Sequence, residues 1–148
     1  MNQKKMNRVV LGVVLALTLA APADAASELN VTNAWLRALP GRLPAAGYFT
    51  LRNAASKPVT LSGAYSPSCG MVMLHKSMNM GGVASMDNVS TVAVPAGGSL
   101  EFAPGGYHLM CMQPTSTLSR GGKVDVTLQF VGGSTISAQF AVRGANGR

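Results

Sequence analysis

Both histidines of the chain, His75 and His108, fall inside one methionine-dense stretch, Met71–Met112. That stretch also holds seven of the nine methionines, and Cys69 and Cys111 lie close to its two ends. Thioether sulfur is a soft, neutral ligand that prefers Cu(I), and imidazole suits several metals. Zinc sites use thiolate, imidazole and carboxylate. Calcium and magnesium take oxygen ligands. A mixed His/Met set therefore points to monovalent copper. Methionine forms no disulfide in an oxidising compartment, and thioethers need no deprotonation to bind. Neutral ligands leave the ion's charge uncompensated, so such a site can hold Cu(I) and yield it by ligand exchange.

Four residues are the candidate ligands: His75, Met86, His108 and Met110. If Gly81 and Gly82 are the central residues of a hairpin turn, His75 faces Asn88. Met86, two residues from that partner, then lies diagonal to His75 on the same face. His108 and Met110 are i and i+2 on one strand and project to one face. Convergence of the two pairs is an assumption at this point. Taken singly, a strand histidine is usually a satisfied or exposed side chain, and methionine is ordinary gap-filling. Met71, Met73, Met78 and Met80 are auxiliary ligands at most, and Met112 is left in the core.

The elements around these residues must be strands. Past residue 25 no segment sustains a 3.6-residue period. Nine short runs rich in β-branched and aromatic residues appear, among them Gly47–Arg52, Met71–Lys76, Val83–Val94 and Tyr107–Gln113. Val124, Val126, Leu128 and Phe130 alternate with polar residues, the period of a half-buried strand. Paired glycines such as Gly97-Gly98 and Gly121-Gly122 mark tight turns. Seven to nine short strands predict an all-β Greek-key sandwich or barrel. The tail Arg143–Arg148 is expected to fray.

The 148 residues carry a net charge of +7. Lys4, Lys5 and Arg8 precede the apolar run Val9–Ala21, and Ala23-Asp24-Ala25 fits a signal-peptidase site. Residues 1–25 are read as a cleaved signal peptide and 26–148 as one domain, placing the mature protein in the periplasm. The run is short for a membrane span, so no stable span is expected after cleavage. The mature net charge falls to about +5. Its cations are scattered, with no basic run or aromatic platform, which argues against nucleic-acid binding. Two cysteines in an exported chain favour a Cys69–Cys111 disulfide. Two free thiols binding metal or exchanging disulfides are the alternative.

The spacing His75-x10-Met86-x21-His108-x-Met110 resembles the His-x10-Met-x21-His-x-Met signature of the periplasmic CuA-type copper chaperone family, PCuAC, without insertion or deletion. The resemblance extends to Ala34-Trp35-Leu36-Arg37, to Ala45–Phe49 with Asn53, and to Pro104–Met110. It implies a cupredoxin-like β-sandwich and a Cu(I) site of those four residues. It further implies delivery to the CuA-bearing subunit of cytochrome c oxidase, sometimes with a thiol-bearing Sco-type chaperone. Cys69 and Cys111 are not part of the signature, and the tail lacks the His and Met that some relatives use for Cu(II).

Two other copper functions are rivals: storage or resistance, and electron transfer. A blue-copper site would need two His, a Cys and an axial Met. Cys111 lies three residues from His108, on the opposite strand face, and no histidine follows it. Enzyme chemistry finds little to use. Glu28, Asp87, Glu101 and Asp125 form no obvious acid/base pair, and no G-x-S-x-G nucleophile motif occurs.

Overall fold

Period-2 patterning with frequent glycine and proline breaks leaves short strands as the available regular structure. The computed structural model describes residues 28–148. The expected signal peptide, residues 1–25, lies outside the described residues. Ten strands form: β1 Leu29–Arg37, β2 Ala45–Asn53, β3 Val59–Tyr65, β4 Cys69–Met80, β5 Val83–Asn88, β6 Val92–Val94, β7 Ser99–Phe102, β8 Tyr107–Pro114, β9 Lys123–Phe130 and β10 Thr135–Arg143. A 3₁₀ turn covers Pro40–Arg42. No described helix is long and apolar enough to cross a membrane.

The strand count exceeds the expected seven to nine because Val83–Val94 is two strands. The Val89 N–H makes a last hydrogen bond to the Leu74 carbonyl on β4 at 2.9 Å. The chain then crosses over, and β6 pairs with β3. β5 and β6 thus end up at opposite edges of one sheet, ordered β5-β4-β8-β7-β2-β1-β10-β9-β3-β6.

That sheet wraps around a single core. Leu74 of β4, Phe49 of β2, Leu61 of β3, Val94 of β6 and Leu128 of β9 belong to one buried cluster. Strands from both ends of the order can share a core only if the sheet curls over on itself. The result is the sandwich architecture in which two inner faces interdigitate. Phe49 stacks on Phe102 with centroids 4.3 Å apart and meets Phe140 edge-on at 5.6 Å. β5 contributes nothing to this core, since all six of its residues are exposed.

Two devices hold the ends of the strands. Asn53 is fully buried, and its amide donates to the Lys57 and Pro95 carbonyls at 2.9 and 3.2 Å. Its Oδ1 accepts from the Ala55 N–H at 3.0 Å. One side chain thereby satisfies backbone groups of two loops that the fold buries. Cys69 and Cys111 form a disulfide, with Cα atoms 5.4 Å apart, joining β4 to β8. The tail that was expected to fray turns back on itself. The Gly144 N–H bonds the Arg148 carbonyl at 2.9 Å and closes a turn.

Candidate metal centre

β4 and β8 are antiparallel neighbours, and their register sets His75 directly opposite His108. The two imidazoles stand edge to face, with centroids 5.6 Å apart and planes at 82°. Convergence of the two halves of the candidate set therefore comes from the β4–β8 pairing. Alternation fixes the face: Leu74, Leu109 and Cys111 are buried in the core, so the intervening residues of β4 and β8 project to the other side.

The hairpin register expected from Gly81-Gly82 is the one observed. His75 faces Asn88, and Ser77 faces Met86. Gly81 and Gly82 have φ of 63° and 85°, the positive pair that a two-residue type I′ turn requires. The Gly82 N–H donates to Asn79 Oδ1 at 3.1 Å. Met86 thus lies diagonal to His75 on the edge strand and is 60% exposed. A shallow hollow of about 250 Å³, lined by Ser77, Met78, Ala84, Ser85 and Met86, opens on the same hairpin. Met110 is half-buried, two residues along from His108 and opposite Met73.

The imidazoles are in different states. His108 is buried, and its Nδ1 lies 3.1 Å from the Gly106 carbonyl. A carbonyl only accepts, so Nδ1 carries the proton and Nε2 keeps the lone pair a metal would use. Burial pushes the His108 pKa below the ordinary histidine range. The Gly106 hydrogen bond opposes this, while the charges of His75 and Arg37 add to it. Neither Nδ1 nor Nε2 of His75 has a hydrogen-bond partner, although both atoms are buried. A buried polar atom without a partner is costly. An ion bound between the rings would relieve that cost at one nitrogen.

An aromatic wall lies beside His108 that residue patterning alone did not place there. Tyr48 on β2 lies 6.4 Å from the His108 ring and 4.7 Å from Trp35 on β1. The Arg37 guanidinium sits 5.2 Å from the Tyr48 ring and 5.7 Å from the Trp35 ring, and that of Arg143 lies 4.8 Å from Trp35. Burial raises the Tyr48 pKa, and the Arg37 charge pulls it back in part. These residues reach the site through the β2–β8 pairing, which sets Ala46 opposite Met110. Trp35, Arg37 and Tyr48 were flagged beforehand only by the motifs that resemble the PCuAC family, and Arg143 by nothing.

Hard-metal alternatives have no support in this arrangement. Among the described residues no three His, Cys, Asp or Glu side chains come together. The blue-copper reading also loses its thiolate, because Cys111 is bonded to Cys69 and buried on the core face. Two imidazoles with neighbouring thioethers remain, a donor set suited to a soft monovalent ion.

This is a nearly all-β fold of the cupredoxin-like kind seen in PCuAC domains. The copper-bound PCuAC domain from PmoF2 superimposes with a TM-score of 0.66 at 24% identity, covering 81% of this chain and 96% of that domain. The Cu(I) form of DR1885 from Deinococcus radiodurans gives a TM-score of 0.60 at 30% identity, covering 85% of this chain and 81% of that one. The family model "Putative lipoprotein LpqE-like" matches residues 29–142, and the chain belongs to that LpqE-like family. Lxx21020 of Leifsonia xyli subsp. xyli is 32% identical over 136 residues, 91% of this chain and 81% of that protein. The resemblance to PCuAC proteins noted in the sequence holds at the level of fold and family.

Proposed function

We propose that this protein is a periplasmic copper metallochaperone. It captures Cu(I) with His75, Met86, His108 and Met110 and passes it on by ligand exchange. The observation that carries this reading is the His75–His108 pair, two imidazoles meeting on adjacent strands with both ring nitrogens of His75 buried and unpaired. The Cu(I)-bound state of DR1885, a structure 30% identical to this chain, supports the choice of ion.

The mechanism follows from the placement of the ligands. His108 is fixed by the Gly106 carbonyl and presents Nε2. Met110 and Met86 bring sulfur from a half-buried and an exposed position. Met86, on the edge strand, is the ligand an incoming donor can displace first. Each exchange replaces one neutral ligand by another, so no proton need move at a thioether. The protein binds and transfers its metal without performing a catalytic reaction on it. The recipient in this reading is the CuA-bearing subunit of cytochrome c oxidase, with a Sco-type thiol chaperone acting alongside. The reading includes cleavage of residues 1–25 on export.

A competition titration with a Cu(I) chelator tests the reading, comparing the mature protein with its four single alanine variants. The wild type is expected to fill the His75/His108 site at near-stoichiometric Cu(I). His108→Ala and Met110→Ala are expected to weaken capture by more than the roughly 10–100-fold typical of losing an outer partner. Equal affinity in all five proteins would remove the proposed ligands.

A further inference from the structure

The β4–β8 register sets three successive pairs directly opposite one another: His75 with His108, Met73 with Met110, and Met71 with Met112. Residues two apart on a strand share a face, so all six side chains project to one side. The interleaved pairs, Leu74 with Leu109 and Val72 with Cys111, take the core side. Met71, Met73 and Met112 therefore do not fill the main core. Met71 is 55% exposed, and Met73 and Met112 are half-buried. The three thioethers thus lie on the outer face, from exposed to half-buried, where an ion from solvent can reach them.

Directly opposed residues have Cβ atoms about 4.5–5.5 Å apart, and diagonal neighbours about 7–8 Å. Methionine has three rotatable side-chain bonds and a polarizable sulfur. The sulfurs of Met71, Met73 and Met112 can therefore meet at one point, without backbone movement. We propose that these three residues form a second soft-metal site, a thioether-only site for Cu(I), beyond the Met110 step from the imidazole pair. Sulfur ligands without imidazole, carboxylate or thiolate select a soft monovalent ion and reject zinc, calcium and magnesium. The proposal stands on the β4–β8 register and goes beyond the four-ligand reading. It gives the chain room for two ions on one strand pair, with Met110 standing between them.

The test is an anaerobic Cu(I) titration of the mature protein carrying methyl-labelled methionine, followed by NMR and by bound-metal stoichiometry. Three proteins are compared: wild type, a His75→Ala/His108→Ala variant, and a Met71→Leu/Met73→Leu/Met112→Leu variant. Leucine conserves apolar volume well enough to keep the fold. Wild type is expected to bind two equivalents and each variant one. In wild type the Met71, Met73 and Met112 methyl signals are expected to move together, as a set separate from Met86 and Met110. Failure of the four-ligand reading alone would leave Met86 and Met110 unmoved while this set still shifts. Equal stoichiometry in wild type and the leucine variant, or methyl signals of the three that stay in place, would overturn the proposal. The wild-type methyl readout decides the matter even if the leucine variant fails to fold.

Discussion

His75 and His108 face each other across β4 and β8 with ring centroids 5.6 Å apart, yet only His108 has a hydrogen-bond partner. The unpaired ring carries a cost in the metal-free protein. Leaving a buried polar group unsatisfied costs about 1–3 kcal/mol, whereas an apolar replacement of similar shape can be neutral or stabilising. His75→Phe is therefore expected to raise the Tm of the metal-free protein by a few degrees, as a gain of about 1 kcal/mol would. The same variant should lose most of its Cu(I) affinity. Thermal melts beside a competition titration check both halves, and a fall in Tm together with intact capture would contradict the assignment.

A pH dependence follows from His108. Its folded pKa is lowered, with burial the main cause, so below the ordinary value near 6.5 the unfolded chain binds a proton more readily than the folded one. Stability is then full above that pH and is lost as pH falls from about 6.5 toward the depressed folded pKa. The metal-free protein should have a lower Tm at pH 5 than at pH 7.5. His108→Asn should flatten that part of the profile. A melt series across this range measures it.

The turn between β4 and β5 is a third point of control. Gly81 and Gly82 both have positive φ, which costs an L side chain about 1–2 kcal/mol per residue. β5 is exposed along its whole length, so strain there should loosen the hairpin rather than the domain. Gly81→Val with Gly82→Val is expected to leave the Tm almost unchanged. Its Cu(I) affinity should fall to the level of Met86→Ala, read in the same competition titration.

The disulfide spans 42 residues of chain. Closing a loop of that size restricts the unfolded state and contributes about 3–4 kcal/mol. Cys69→Ala with Cys111→Ala should lower the denaturation midpoint accordingly in urea. Cu(I) affinity should change little if the variant stays folded, because both sulfurs lie in the buried core, away from the proposed ligands.

Much of this arrangement was legible because it is local. Two glycines fixed the β4–β5 register, and the i, i+2 rule put His108 and Met110 on one face. What brings β4 to β8 is not local. Period-2 patterning says which face a residue takes but not which strand lies alongside, so the His75–His108 contact had to be assumed. The same gap hid Tyr48 and Arg37, which reach the site only through the β2–β8 and β1–β2 pairings. Val83–Val94 was misread as one strand for a related reason. Its residues favour β structure throughout, but the chain leaves one sheet edge at Val89 and joins the other at Val92. Gly106 was missed because its part is played by a backbone carbonyl, which no side-chain pattern announces.

The Cys69–Cys111 bond uses both cysteines that the sequence contains. No thiol remains to supply electrons, so the chain can carry an already reduced ion but has no cysteine reductant of its own. In the delivery role proposed above, a recipient whose ligand thiols had oxidised to a disulfide would need some other dithiol to open that bond first.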